Sequence, residues 1–445
     1  MINQALLKQY QDAFDKDPAN QASKHAIARV GINEASVDNQ AIRRHTFTFS
    51  DETKRGKITN QKASGRCWMF SALNVLRVQT MNQLNVENFE FSQNYTLFCD
   101  KLERSNFFLT SIIETADQPL NSRLIAHLLN DPIGDGGQWE MFAGILKKYG
   151  SVPKEIMPET FHSSNTRGLN EILANKLREF AARLRQKQAA GASKEELEAL
   201  KEDQLSFIYN LLVKALGEFP TQFDYAYRDK DNKFHRIEAI TPQEFFNKYT
   251  SMDLDHMISL INAPTDDKPY NKTYTVKYLG SIVESKPIKY LNVPIEVIKK
   301  AAITAIQDGH PVWFGCDVGK MSERKIGIMD AHMYAYEDTL GQGFNLNRAE
   351  RLDYGCSLLT HAMVFVGVDL DKNGSPLTWK VENSWGKDSG DEGIYSMSDA
   401  WFDEYMYQIT VPAKYIEEAY QKLYQADPIA LEPWDPMGSL AFHQA

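Results

Sequence analysis

Hydrophobic residues recur at helical spacing through the middle of the chain, between Gly168 and Gly217. The pattern is interrupted at residues 190–193, where Ser193 and Glu196 have the spacing of a capping box that starts a new helix. The sequence therefore predicts a hairpin of two helices. The apolar positions are Leu169, Ile172, Leu173, Leu177, Phe180, Leu184, Leu197, Leu200, Leu205, Ile208, Leu211, Leu212 and Leu216.

The polar faces of this predicted hairpin carry many basic side chains beside glutamates. Charges of this kind usually belong to a solvated surface. The apolar positions, however, need a surface to pack against, so we interpret the hairpin as a whole as an arm for self-association. The basic residues are Lys176, Arg178, Arg183, Arg185, Lys187 and Lys194.

From about residue 300 onward the pattern changes to short apolar runs separated by glycine-containing turns. Asn373 and Gly374 stand between two of these runs and are typical of a tight hairpin turn. This part of the chain therefore predicts an antiparallel sheet. The runs cover residues 312–316, 362–368, 377–381 and 393–397.

Another apolar helical run, residues 71–78, follows a polar segment, and Cys67 lies close to the junction. The positive end of a helix dipole favours a thiolate, so Cys67 is a candidate nucleophile. A small buried hydrophobe is the commoner role of a cysteine. The glycine-containing approach, residues 62–66, is instead typical of a solvent-accessible turn, and Cys67 alone leaves both interpretations open.

The composition is that of an ordinary globular protein, with 43% hydrophobic and 24% charged residues in a chain of 445. This length usually exceeds a single core, so we expect more than one lobe or a large insertion. The net charge of −10 disfavours nucleic acid as a partner. The N-terminus lacks signal-peptide features and no run of about 18 apolar residues occurs, so we expect a cytoplasmic protein without a membrane partner.

The sequence predicts no cofactor. Its four cysteines are too few for a disulfide framework and have no zinc-binding spacing, so we expect reduced thiols. Asp369, Asp371 and Asn373 match the start of a calcium loop, but Lys380 stands where a ligating glutamate is required. We therefore expect neither a metal nor an organic group.

His361 opens the longest apolar run of the chain, where an ionisable ring is costly unless it has partners. Asn383 ends the neighbouring predicted strand, so a turn at Asn373 and Gly374 would bring both side chains to the same end of the hairpin. The amide could then orient the imidazole, and Trp385 could shield their hydrogen bond from water. A turn residue for Asn383 and plain core for Trp385 remain the alternatives.

Gln61 precedes Cys67 on the approach to the same predicted helix. Its side-chain amide and the backbone N–H of Cys67 could stabilise an oxyanion during acyl transfer. A lone glutamine is a weak signal. The order of glutamine, cysteine, histidine and asparagine, each in a suitable local context, is a strong one.

Three blocks of the sequence resemble the signature blocks of papain-like cysteine peptidases: Gln61 with residues 65–68, residues 360–363, and residues 382–386. In papain itself the histidine and asparagine follow the cysteine by about 130–150 residues. Here both follow Cys67 by about 300 residues, and the predicted hairpin supplies part of the excess over the papain spacing. This enlarged spacing, the long segment before Cys67 and the tail at 434–441 resemble the bleomycin hydrolase and aminopeptidase C branch.

The resemblance implies an α+β, papain-like fold of two lobes, one helical and one of antiparallel strands, with a large helical insertion. It implies a single catalytic unit over residues 1–445, which comprises a helical lobe with the nucleophile (51–160), a hairpin insertion that serves as an oligomerisation arm (165–265), a β lobe with the histidine and asparagine (299–412) and a C-terminal arm directed toward the active site (413–445). It also implies a homohexamer.

Substrate contacts are implied at two places. The backbone of Asp135, Gly136 and Gly137 resembles the segment that pairs with an extended peptide, and a tight turn without a binding role is the alternative. Relatives end at or near the position of Ala441, and their terminal carboxylate meets the free amine of the substrate. This chain continues to Ala445. Either the residues beyond Ala441 are trimmed, or the carboxylate of Ala445 lies elsewhere and the exopeptidase restriction is relaxed.

The expected function is that of a cysteine aminopeptidase acting on peptides, with Cys67, His361, Asn383 and Gln61 in catalysis. The extension beyond Ala441 leaves an endopeptidase or oligopeptidase of the same fold as the alternative. A catalytically silent assembly module and another cysteine-dependent acyl transferase are further possibilities. All four catalytic positions are intact, which argues against the first, and no residue suggests an acceptor site for the second.

Overall fold

The structure is a computed structural model that describes residues 1–440. Its helices are α1 (Gln4–Lys16), α2 (Pro18–Val30), α3 (Ile32–Ser36), α4 (Asn39–Arg43), α5 (Cys67–Gln83), α6 (Gln93–Glu114), α7 (Arg123–Asn130), α8 (Trp139–Tyr149), α9 (Phe161–Ser164), α10 (Arg167–Ala189), α11 (Lys194–Leu216), α12 (Pro242–Tyr249), α13 (Ile295–Gln307), α14 (Tyr336–Leu340), α15 (Arg348–Asp353), α16 (Asp399–Tyr405) and α17 (Glu418–Tyr424). Within that part of the chain, no helix combines the length and the apolar character needed to cross a membrane.

The strands are β1 (Asp51–Glu52), β2 (Phe223–Arg228), β3 (Phe234–Ile240), β4 (Met257–Ile261), β5 (Lys272–Val276), β6 (Tyr290–Asn292), β7 (Val312–Cys316), β8 (Ser322–Glu323), β9 (Ile328–Met329), β10 (His361–Leu370), β11 (Pro376–Glu382), β12 (Ile394–Ser398), β13 (Met406–Pro412) and β14 (Ile429–Leu431). Strands β2 and β3 form a separate two-stranded sheet. The main sheet runs in the order β14-β5-β6-β4-β13-β7-β10-β11-β12-β9-β8, with β1 on β10.

Helix α5 is buried on nearly every side, which agrees with the apolar run that predicts it. It packs against β10, and the Ser71 hydroxyl donates a hydrogen bond to the carbonyl oxygen of Ala362 over 2.8 Å. The N-terminal part of α5, which begins at Cys67, therefore lies beside the start of β10.

The predicted turn at Asn373 and Gly374 is confirmed. Strands β10 and β11 are antiparallel, and the carboxylate of Asp371 accepts the backbone N–H groups of Asn373 and Ser375 between them. The residues that resemble the start of a calcium loop thus form a capped hairpin turn.

The predicted helical hairpin is also confirmed. Helix α10 ends at Ala189, and Ser193 and Glu196 form the expected capping box at the start of α11. Both helices pack on α6, so the apolar positions of the hairpin are largely buried against another helix of the same chain. The buried positions are Leu169, Leu173, Leu177, Phe180, Leu184, Leu197, Ile208, Leu212 and Leu216.

Two predicted boundaries differ from the structure. The helical hairpin occupies only part of the expected insertion at 165–265, because β2 and β3 follow it and β4 belongs to the main sheet. That sheet likewise extends beyond the expected β lobe at 299–412. It takes in β4, β5 and β6, and β14 from the C-terminal arm, and three of its pairings are parallel rather than antiparallel.

Candidate active site

His361 and Asn383 meet at one end of the β10–β11 hairpin, as the position of the turn predicts. His361 is the first residue of β10, and Asn383 follows the last residue of β11. Their side chains are fully buried, and His361 Nε2 lies 2.9 Å from Asn383 Oδ1.

The contacts of Asn383 fix the orientation of this pair. The backbone N–H of Ser384 donates to Asn383 Oδ1 over 2.8 Å, and a backbone N–H requires an oxygen acceptor. The same oxygen can only accept from His361, so Nε2 of the imidazole carries the hydrogen. In the neutral ring Nδ1 is therefore the basic nitrogen.

Trp385 lies against the imidazole. The ring centroids of His361 and Trp385 are 4.7 Å apart, and the Arg324 guanidinium carbon lies 4.2 Å from the centroid of the indole. This stack covers the region around the His361–Asn383 hydrogen bond, which is the place that a shielding role requires.

Gln61 joins the approach to α5 to the segment that follows Asn383. Its backbone N–H donates to the carbonyl oxygen of Ser384 over 2.8 Å, and its side-chain Oε1 accepts the Ser384 hydroxyl over 2.7 Å. Its Nε2 donates to the carbonyl oxygen of Ser64 over 2.6 Å. One of the two N–H groups on Nε2 is thus engaged, and the side chain is held in a single orientation.

Cys67 is fully buried at the start of α5. Burial raises the pKa of its thiol to about 12, although hydrogen bonding to the backbone of Ala362, Trp68 and Cys67 itself opposes the rise. The helix start thus acts in the expected direction, but loss of water outweighs it. Because the thiol is hydrogen-bonded to the backbone of Ala362, the sulfur lies beside the residue that follows His361.

The turn before Cys67 is only partly exposed, which corrects the prediction from sequence. Lys62 and Ala63 are exposed, but Ser64, Gly65 and Arg66 are buried. The guanidinium of Arg66 makes two parallel hydrogen bonds with the carboxylate of Glu159, at 2.9 and 2.8 Å. This bidentate ion pair allows a charged side chain to be buried next to Cys67.

Asp135 is buried, so its side chain is not exposed for contact with a substrate. Its carboxylate accepts the Lys101 ammonium at 2.7 Å, the Gly65 backbone N–H at 2.9 Å, the Asn170 amide at 2.7 Å and the Thr166 hydroxyl. Burial would raise the pKa of Asp135, but these donors hold it well below its usual range. The side chain is therefore committed to internal bonds, and a substrate contact of this segment would have to come from its backbone.

The backbone of that segment is also closely packed. The Asp135 carbonyl oxygen accepts the indole N–H of Trp68 at 2.7 Å, and the Gly136 carbonyl oxygen accepts Arg104 at 2.9 Å. A Cβ on Gly137 would lie 2.4 Å from the ring of Trp68. Only glycine fits there, because the backbone runs directly over the indole.

The C-terminal arm reaches the same place. The carbonyl oxygen of Ser439 accepts a hydrogen bond from Gln138 Nε2 at 2.9 Å. The hydroxyl of Ser439 donates to the Leu359 carbonyl oxygen at 2.6 Å. Leu440 lines a cavity of about 370 Å³ together with Gly136 and Leu359. Ala441 and Ala445, the predicted contacts of the substrate amine, lie outside the described residues.

Several contacts that position the site residues could not be predicted from the sequence, because their partners are far apart along the chain. Arg77 on α5 and Glu382 at the end of β11 form a buried ion pair at 2.6 Å, which fixes the strand one residue before Asn383. Arg66 and Glu159 are also far apart in sequence, by 93 residues. Within residues 1–440, no group of three or more His, Cys, Asp or Glu side chains is arranged to hold a metal ion.

Comparison with known proteins gives matches over almost the whole chain. The Peptidase C1-like family model matches residues 1–438. The chain is 48% identical over 435 residues to aminopeptidase C of Listeria monocytogenes, with 98% of both chains covered. It is 42% identical to human bleomycin hydrolase, with 95% of this chain and 94% of the relative covered. The crystal structure of PepW from Lactobacillus rhamnosis superposes with a TM-score of 0.97 at 45% identity, with 99% of each chain covered.

Glu140 lies in the first turn of α8, two residues after Gln138, and its carboxyl group is buried although the residue as a whole is only partly buried. Burial raises its pKa from 4.5 to about 7, although the Ser259 hydroxyl donates to it. Because the folded-state pKa is raised, the folded protein favours the protonated carboxyl. The resulting stability is full below pH 4.5 and is lost as the pH rises to about 7.

A Glu140→Gln substitution should remove this pH dependence. In the unsubstituted protein, ionisation of Glu140 between pH 4.5 and 7 should cost about 3 kcal/mol of unfolding free energy, at about 1.4 kcal/mol per pKa unit. The measurement is chemical denaturation across this range. Glu171→Gln, at an exposed position of α10, is the matched control and should keep the original slope; an unchanged slope in the Glu140 variant would contradict the assignment.

Proposed function

We propose that this chain, which belongs to the Peptidase C1-like family, is a cysteine aminopeptidase that removes N-terminal residues from peptides through a thiol acyl-enzyme. The predicted α+β fold of papain-like cysteine peptidases, and the resemblance to aminopeptidase C and bleomycin hydrolase, are confirmed by the full-length matches. The observation that carries the chemistry is the buried His361–Asn383 pair beside the helix that begins at Cys67.

In the proposed mechanism Cys67 is the nucleophile and His361 the base. Because burial raises the pKa of the thiol, its proton has to pass to His361 Nδ1 before the resulting thiolate attacks the peptide carbonyl carbon. Asn383 Oδ1 holds the Nε2–H of the imidazolium throughout. The charge on the ring then stabilises the thiolate that forms.

The tetrahedral intermediate places a negative charge on the former carbonyl oxygen. Gln61 Nε2 and the backbone N–H of Cys67 would donate to it, and the contacts of Gln61 with Ser64 and Ser384 keep that amide in place. His361 then protonates the departing amine, and the C–N bond breaks to leave the acyl group on Cys67. A water molecule, deprotonated by His361, releases the acid and restores the thiol.

Restriction to the N-terminal residue is assigned to the C-terminal arm. Ser439 is anchored to Gln138 and to Leu359, two residues before His361, so the chain enters the cavity beside Gly136. A terminal carboxylate placed there would bind the free ammonium of a peptide and block longer N-terminal extensions. The extension beyond Ala441 supports the alternative of an endopeptidase or oligopeptidase, if those residues lie elsewhere.

We also propose that the protein acts in the cytoplasm as a homohexamer. Helices α1 and α2 contain no buried residue, and Leu7 and Tyr10 on α1 are about half exposed. Because the hairpin α10–α11 buries its apolar positions mainly on α6, its exposed Ile172, Phe207 and Tyr209 are what an oligomerisation arm would offer. A monomeric mass in sedimentation analysis would contradict this assembly.

Replacement of the nucleophile should abolish hydrolysis. We expect Cys67→Ala to lower kcat/KM for a free-amine peptide by about ten-thousand-fold or more, because no group can form the acyl-enzyme. Cys356→Ala is the matched control, since that thiol is exposed, and it should retain activity. Alkylation should inactivate the protein, whereas a chelator should have no effect. Unchanged hydrolysis by a homogeneous Cys67→Ala preparation would exclude the mechanism.

The role of the arm can be tested with a peptide and its N-acetylated form. The full chain should hydrolyse only the free-amine peptide, and a variant that ends at Leu440 should hydrolyse both, because the proposed blocking carboxylate has moved. Rates come from chromatography of the products, and intact mass gives the C-terminus of each preparation. Equal rates with the full chain would favour the endopeptidase.

A further inference from the structure

A groove of about 880 Å³ lies beside the segments that carry Gln61 and Trp385. One part of its wall is residues 55–58, and another is the β2–β3 hairpin, where Tyr225 and Tyr227 stack with ring centroids 5.5 Å apart. We call it the basic groove, after the five basic side chains that line it: Arg55, Lys57, Arg228, Lys230 and Lys387.

These five side chains have no ion-pair partner among residues 1–440. Many other basic side chains of the chain do pair with a carboxylate. Three acidic residues, Glu87, Asp229 and Glu392, also line the groove, so basic side chains outnumber acidic ones by five to three. In a chain with a net charge of −10, this is a local excess of positive charge.

The groove adjoins the candidate active site through two chain segments. Lys57 lies four residues before Gln61, and Lys387 lies two residues after Trp385. The segments are joined to each other, because the Gly386 N–H donates to the Thr59 carbonyl oxygen at 3.1 Å. At roughly 3.3 Å per extended residue, Lys387 lies within about 7 Å of Trp385, measured along the backbone, and Lys57 lies within about 13 Å of Gln61.

The direction of the substrate follows from the C-terminal arm. The arm lies at Gly136 and Leu359, where the N-terminus of the peptide has to be held. The part of the peptide that leaves as the amine therefore extends the other way, past Trp385. The third to fifth residues of this leaving part would reach the basic groove.

We propose that the basic groove binds carboxylates on this downstream part of a peptide, and this inference rests on the proposed aminopeptidase function. The carboxylate is either the C-terminus of a short peptide or an acidic side chain of a longer one. Nucleic acid is the weaker candidate, because Glu87 and Glu392 in the lining would repel a continuous row of phosphates.

The test uses an alanine pentapeptide with a free N-terminus in three forms: with a C-terminal carboxylate, with a C-terminal amide, and with the amide and a glutamate in fourth position. At low salt the wild-type protein should show a kcat/KM about threefold to tenfold higher for either charged form than for the neutral amide, mainly through KM. The first form reports a terminal carboxylate and the third an acidic side chain. High salt should reduce the preference.

The Lys57→Gln/Lys387→Gln variant should bring this ratio close to one. The control is Lys214→Gln/Lys372→Gln, which removes the same charge at exposed positions outside the groove and should keep the wild-type ratio. Turnover of the neutral amide shows in each preparation that the active site has folded. A ratio of one in the wild-type protein, or an unchanged ratio in the groove variant, would overturn the proposal while leaving the aminopeptidase function intact.

Two other results would also decide against it. Inhibition of the wild-type protein, but not of the groove variant, by a short single-stranded DNA, with no preference among the peptides, would assign the groove to nucleic acid. Failure of the wild-type protein to cleave any free-amine peptide would overturn the aminopeptidase function and this inference together.

Discussion

The carboxylate of Asp135 is the point on which the geometry of the candidate site depends. It binds the loop before Cys67 through Gly65, helix α6 through Lys101, and the start of the hairpin α10–α11 through Thr166 and Asn170. A buried charge of this kind is tolerated only when it is paired and hydrogen-bonded throughout. Because four donors from three separate segments meet on two oxygens, their relative positions are fixed.

A second set of polar contacts joins the helical part to the sheet. Arg77 pairs with Glu382, Gln61 with Ser384, and Ser71 with the Ala362 carbonyl. Each contact lies within a residue or two of Asn383 or His361. Cys67 on α5 and His361 on β10 belong to different elements, and these contacts hold the two elements in register. The papain-like peptidase mechanism that we propose requires this positioning, because neither side chain can act alone.

Burial raises the pKa of two groups near the site, but the net shifts of their pKa values have opposite directions. For Cys67 loss of water prevails and favours a protonated thiol, so in the mechanism that we propose its reactivity depends on the imidazole of His361. Around Asp135 the same loss of water is outweighed by hydrogen-bond donors, and the carboxylate stays charged. The difference lies in the number of donors that face each group. The five basic side chains of the basic groove, by contrast, are exposed to solvent and form no salt bridge within residues 1–440, which suits a surface for reversible binding.

Local patterns in the sequence were sufficient for much of the fold. The periodicity and the capping box at Ser193 predict the hairpin, the turn at Asn373 and Gly374 predicts the pairing of β10 with β11, and that pairing brings His361 to Asn383. These features depend on neighbours within about twenty residues along the chain, where hydrophobic period and turn chemistry are informative.

Contacts between remote segments were decided only by the tertiary structure. Nothing near Asp135 in the sequence indicates that it meets Gly65, or that Arg66 is buried against Glu159. The apolar positions of the hairpin showed that a surface must be buried, but their period does not identify α6 as that surface. The sequence by itself determined which residues can do the chemistry, whereas packing decided which charges lose water and which helix covers each apolar face, because both depend on groups brought together from distant parts of the chain.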